Sequence, residues 1–275
     1  MMDTLESMKP ILENLPTGKP HVSFSELRDW QDCSYRHKLK HVDKIDLFVP
    51  SPILDFGTSV HACCEQYLKT RSMNVDIALE MLDKAFETNK ENPEFKRELL
   101  ASYKKEAQSI VNDIPQFLEK EFPEWEFIDA EHTLYESIEK YPHAFKGFVD
   151  GIIKTKGKKG EDQYWIIDWK TTAWGWSSDK KSDSNIARQL VFYKSFWSKK
   201  TGINLKNIRC GFILLKRTAK PGSHCELIKV SVGDVTLEKS FKILNNMIGS
   251  IRKGIAIKNK DSCTYCPYKG TEHCT

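Results

Sequence analysis

The chain has 275 residues, 40% of them hydrophobic and 29% charged, with a formal net charge of +4. That balance belongs to a soluble globular protein of one large or two small domains. No apolar run is long enough to cross a bilayer and no basic-then-apolar leader opens the chain, so the expectation is a cytoplasmic protein with no membrane partner.

Residues 1–20 mix Pro, Gly and polar residues and are expected to be flexible. Ser23-Phe24-Ser25-Glu26 has the form of a capping box, opening a helix that carries Leu27 and Trp30 inward and reaches Cys33. Residues 34–56 are mixed, with Pro50 and Pro52 forcing a loop. Gly57-Thr58-Ser59-Val60-His61 opens another helix, with Val60, Cys64, Tyr67 and Leu68 near one face. Helical patterns at 75–90 and 95–120 follow, the second ended by Pro123, and residues 21–124 read as a helical lobe. From Trp125 the period changes. Strands are expected near 125–138, 144–155, 163–170, 207–216 and 224–231. One helix, Asn185 to Lys200, lies between the third and fourth, and another runs from Val235 to Arg252. The expected fold is α/β or α+β, a mixed sheet core over 125–255 flanked by helices, followed by a cysteine-bearing segment at 256–275. No internal repeat and no Gly-x-x-x-x-Gly-Lys-Ser/Thr loop is present, so no ATP-driven motor is encoded.

One stretch stands out, Tyr164-Trp165-Ile166-Ile167-Asp168-Trp169-Lys170-Thr171-Thr172, an apolar strand that ends in acid, aromatic and base. Residues two apart on a strand share a face, so Asp168 and Lys170 point one way and Trp169 the other. Phe145 to Lys154 reads as a partner strand, and the polar, glycine-bearing Thr155 to Asp162 as the hairpin connection. Asp150 and Asp168 lie equally far from Lys159, so a symmetric hairpin sets them opposite each other. Like charges directly across a ladder are destabilising. A divalent cation between them, Mg²⁺ or Mn²⁺, removes the conflict. Asp-x-Lys by itself is common on surfaces; the paired strand makes it a site. Such an ion activates water and stabilises charge on a phosphate, and Lys170 stands on the same face to assist. Acid pair, lysine and basic runs (Lys154–Lys159, Lys180-Lys181, Lys199-Lys200, Lys216–Lys220, Arg252–Lys260) point to phosphodiester cleavage rather than redox chemistry. Those runs suit solvated loops equally well.

Gln189 and Tyr193 are four apart on the following helix and share a face that could meet a phosphate. Trp174 and Trp176 either stack on bases or cover the sheet edge. A lone helical histidine such as His61 is more often packed or on the surface, although imidazole suits Mn²⁺. Eight cysteines in an intracellular chain do not read as a disulfide framework. Cys263-Thr264-Tyr265-Cys266-Pro267 followed by Cys274 reads instead as a metal or iron–sulfur knuckle, with Cys33 as fourth ligand and His273 as its rival. A Cys₄ set also suits Zn²⁺.

Together these residues resemble the RecB-family iron–sulfur nucleases of the PD-(D/E)XK superfamily. The likeness runs through Ser23 to Tyr35, Gly57 to His61, Gly147-Phe148-Val149-Asp150, Ile167 to Thr171, Gln189 to Tyr193 and the closing Cys263, Cys266 and Cys274. It departs at Ser34, where proline often follows the first cysteine, and in the longer Cys266–Cys274 gap. The resemblance implies a restriction-endonuclease-like core. His61, Asp150, Asp168 and the Trp169 carbonyl would hold Mg²⁺ or Mn²⁺, and Lys170 would be catalytic. Gln189 and Tyr193 would support the site and the DNA, and the four cysteines would hold a 4Fe-4S cluster joining the N- and C-terminal regions. The expected function is a metal-dependent DNA exonuclease on single strands or ends, in recombination, repair or CRISPR adaptation in a prokaryotic or phage-infected cell. A homo-oligomer or recombination or CRISPR partner proteins are compatible with it. The alternatives are a non-catalytic DNA-binding or scaffolding module of the same fold and a zinc-stapled structure-specific endonuclease.

Overall fold

The structure, a computed structural model, describes residues 12–275; the first eleven residues of the expected flexible segment lie outside the described residues. The elements begin with β1 (His21–Ser23), α1 (Phe24–Asp32), α2 (Ser34–His37), α3 (Pro52–Thr70), α4 (Asp76–Thr88) and α5 (Arg97–Glu121). There follow β2 (Glu126–Ser137), β3 (Ala144–Lys156), β4 (Asp162–Thr172), α6 (Ser178–Ser182), α7 (Ser184–Thr201), β5 (Ile208–Lys216), β6 (Cys225–Val230) and α8 (Asp234–Arg252). The strands form a six-stranded mixed sheet in the order β1-β3-β4-β5-β6, with β2 also paired to β3. The chain divides into two compact units, one of residues 48–133 and 148–237, the other of residues up to 47 with 134–147 and 238–275.

In the first unit, β3 and β4 pair antiparallel from Gly151–Ile167 to Lys156–Asp162, a register symmetric about Lys159. The ladder stops one residue short of Asp150 and Asp168, which stand next in that register. β5 runs parallel to β4, with Asp168 beside Phe212 and Lys170 beside Leu214. Parallel neighbours need a crossover, and α7 supplies it. The alternation of β4 divides its side chains between two layers. Ile167 and Trp169 join a core with Phe56, Val60, Tyr67 and Leu68 of α3, Leu82 of α4 and Ile110, Val111 and Ile114 of α5. On the other face, Tyr164 meets Trp197 of α7 at 5.4 Å between ring centroids. Each large apolar side chain so buried contributes about 1.5–3 kcal/mol.

Helix α3 corrects the expectation of a loop through Pro52. It starts at Pro52, not Gly57, because the first helical position needs no N–H and its φ suits proline. Gly57 therefore lies inside the helix, where a Cβ would stand 3.2 Å from Thr171 Oγ1 of β4. On α5, Asp113 accepts from the His224 main chain at 3.1 Å and lies 2.6 Å from His224 Nδ1, with His224 only 2% exposed. Burial raises the Asp113 pKa, but the His224 bonds outweigh it and hold the carboxyl below its usual value.

In the second unit, β1 pairs parallel with the start of β3, His21 beside Ala144 and Val22 beside Phe145. Ser23 Oγ caps α1 by accepting from Glu26 N at 3.2 Å. The expected box is half made, because the buried Glu26 carboxylate lies 3.0 Å from His37 Nε2. Leu27 is fully buried, whereas Trp30 is only half-buried. Residues 34–42, expected to be irregular, form α2 and a π-helical turn at Lys38–Val42. Asp29 gathers them by accepting from Arg36, Lys40 and His41 at 3.2, 2.9 and 2.9 Å. The last twenty residues bond back to α1 and α2. Asn259 Nδ2 and Ser262 Oγ donate to Asp32 O at 2.8 and 2.6 Å, Ile257 N donates to Ser34 Oγ at 2.7 Å, and Tyr35 OH donates to His273 O at 3.2 Å.

Candidate active site

The end of the β3–β4 hairpin brings most of the predicted residues together. Trp169 N donates to Asp150 Oδ2 at 2.8 Å, while the Trp169 indole is buried in the core. His61 of α3 places Nδ1 3.6 Å from the same Asp150 oxygen. Asp168 is 1% exposed, and Lys170 Nζ lies 2.6 Å from its Oδ2. The buried Asp168 Oδ2 thus meets the Lys170 ammonium as an ion pair. Lys170 Nζ also donates to Gln189 Oε1 at 3.1 Å, and Gln189 Nε2 donates to Tyr193 OH at 3.1 Å. The Tyr193 hydroxyl is also bonded by the Phe148 main chain. A hydrogen-bonded line thus runs from Lys170 through α7 back to β3, two residues before Asp150.

The electrostatics match this crowding. Burial and then the Asp168 charge push the Asp150 pKa well above the carboxylate range, with Lys170 opposing. Burial also raises Asp168. His61 is lowered to about 4 by burial and then by Lys170, so its ring is neutral at pH 7 and able to ligate. Glu131 of β2 also adds to the negative field on Asp150. It sits at φ +52°, a left-handed conformation that a non-glycine residue seldom adopts, and no sequence signal marks it.

Among the described residues, no three His, Cys, Asp or Glu side chains stand close enough to enclose one ion. Two carboxylates suffice for Mg²⁺, which keeps several waters. Two buried carboxyls, one raised by the charge of the other, are a feature that a cation relieves, so these residues fit one.

Cys33, Cys263, Cys266 and Cys274 line a single cavity of about 520 Å³ in the second unit, together with Tyr35, Arg36 and Tyr268. His273 does not line it. Cys33 Sγ accepts from Arg36 N and Asn259 N, each at 3.4 Å. The two exposed-tryptophan readings separate. Trp174 is 80% exposed, whereas Trp176 packs on Phe212 at 5.2 Å with Lys180 over its ring. Several lysines of the basic runs are engaged by acids: Lys154 by Glu126, Lys156 by Asp162, and Lys181 and Lys216 by Glu226. No helix among the described residues is long and apolar enough to cross a membrane.

The fold is similar to that of solved proteins. An exonuclease, so named by inference, from Eubacterium rectale is 15% identical with a TM-score of 0.56, over 90% of this chain and 88% of that one. The structure of SSO0001 is 11% identical over 89% and 92% of the two chains, and its TM-score of 0.35 is too low to carry an argument. No curated protein matches the chain. The family model of the PD-(D/E)XK nuclease superfamily matches residues 21–271. With nearly the whole chain covered, this protein belongs to the PD-(D/E)XK nuclease superfamily.

Proposed function

We propose that the chain is a Mg²⁺- or Mn²⁺-dependent deoxyribonuclease, an exonuclease that hydrolyses phosphodiester bonds in single-stranded DNA or at DNA ends. The observation that supports it best is the buried Asp168, ion-paired through Oδ2 with Lys170 and sharing the hairpin end with Asp150. Asp150 and Asp168 would hold the ion, with the Trp169 carbonyl and the neutral His61 as further ligands. A divalent ion, when bound, lowers the pKa of its water and offsets charge on the phosphate. Lys170, steadied by Gln189, is placed to orient the attacking water and to stabilise the oxygen that becomes negative. Tyr193 holds Gln189 in place. A scaffold would need none of this trio of two acids and a lysine. The test is product analysis on 5′- and 3′-labelled single- and double-stranded DNA with Mg²⁺ or Mn²⁺, comparing wild type with Asp168→Ala. Metal-dependent mononucleotide release by the wild type alone is expected, and its absence would favour the scaffold.

We further propose that Cys33, Cys263, Cys266 and Cys274 hold a 4Fe-4S cluster. All four thiols line one cavity, so one metal group could engage them together. The amide N–H groups directed at Cys33 Sγ suit a thiolate ligand. Metal analysis of anaerobically prepared protein tests this; zinc without iron or sulfide would overturn it. The proposed setting is prokaryotic or phage DNA recombination, repair or CRISPR adaptation, and it rests on the sequence resemblance alone.

A further inference from the structure

Phe148 stands exposed on the strand face that carries Asp150. Along β3 the side chains alternate, with Val149 and Gly151 buried, while Phe148 and Asp150 fall on the other face. Ile152 on the same face is fully buried, whereas Phe148 is 47% exposed, two positions from the metal-binding-type acid and hence about 6.6 Å along the strand. Other exposed apolar residues, such as Phe48, Val235 and Ile257, do not share a strand face with either acid. The Phe148 backbone is moreover fixed, because its main chain bonds the Tyr193 hydroxyl at the end of the line from Lys170. An exposed aromatic side chain on the strand face of the acid pair is placed to meet a substrate.

We infer that Phe148 is a specificity residue that stacks on an unpaired nucleobase flanking the phosphate to be cleaved, so that the site takes single strands and frayed ends in preference to intact duplex. An aromatic face accepts any base, because every base has a π-face. It offers nothing to a base that remains paired and stacked within a duplex. The inference rests on the proposed nuclease function and adds the reason for its strand preference.

Binding tests it without hydrolysis. A labelled oligo(dT) of about 12 nucleotides and an abasic deoxyribose-phosphate oligomer of the same length and charge are titrated with full-length protein, Ca²⁺ replacing Mg²⁺. Wild type is expected to bind oligo(dT) about five- to a hundredfold more tightly than the abasic strand. Phe148→Ala should lose most of that difference while binding the abasic strand as wild type does, and Phe148→Trp should keep it. A half-exposed side chain tolerates these changes, and an unchanged melting temperature confirms it. Equal binding of the two strands by wild type, or an unaltered difference in Phe148→Ala, overturns the inference. If wild type cleaves DNA yet binds both strands alike, the inference falls and the nuclease reading stands; if it neither binds nor cleaves, both fall.

Discussion

The Lys170 ammonium donates to Gln189 Oε1 across 3.1 Å and so ties the end of β4 to the first turns of α7. A lysine side chain left to itself carries up to about 2 kcal/mol of rotamer entropy. Gln189 restrains it beside Asp168 without neutralising it. Replacing Gln189 by Ala should therefore lower kcat about 10–100-fold and leave KM nearly unchanged. Lys170→Ala should cost about 10²–10³-fold in kcat. Steady-state kinetics on a labelled single strand reads both; a Gln189→Ala effect confined to KM would assign Gln189 to substrate binding instead.

Metal and fold stability should be linked at the acid pair. Burial disfavours both charges, and the charge of Asp168 further disfavours that of Asp150. Asp168→Asn removes one of them, so its melting temperature in EDTA should equal or exceed that of wild type while cleavage falls to background. Mg²⁺ or Mn²⁺ should stabilise wild type, by about 2.7 kcal/mol at a hundred times Kd, and leave Asp168→Asn unmoved. Scanning calorimetry with and without metal reads the contrast.

The Asp113–His224 pair gives a pH dependence of its own. The folded Asp113 pKa is lowered below its unfolded value near 3.9. Its contribution is therefore present in full above that value and is lost as pH falls through the lower, folded pKa. Asp113→Ala leaves a buried imidazole without its partner and should cost about 1–3 kcal/mol at pH 7. The difference from wild type in denaturant titrations should shrink below about pH 4.

Cys33→Ser should reduce bound iron and sulfide together and lower the melting temperature, since that thiol and the three distal ones come from opposite ends of the chain yet share a cavity. The wild-type protein should be brown and bleach on reduction. Iron content that survives the substitution would remove Cys33 from the ligand set.

Much of this geometry was legible in the sequence for local reasons. Turn symmetry about Lys159 fixes which residues of β3 and β4 oppose each other, and the four-residue spacing of Gln189 and Tyr193 fixes their common face. What escaped depends on distant partners. Glu26 forms half a capping box by sequence, but His37 claims its carboxylate. Pro52 signals a loop and a helix start alike, and only packing chooses between them. The left-handed turn at Glu131 and the exposure of Phe148 are properties of the folded sheet, without a mark in residue order.

The bonds from Lys170 through Gln189 and Tyr193 to the backbone of Phe148 carry one further consequence. Tyr193→Phe, which removes the hydroxyl in the middle of this brace, should therefore loosen Gln189 and the Phe148 main chain together, whereas substitution of the Phe148 ring leaves the bonds of the lysine in place.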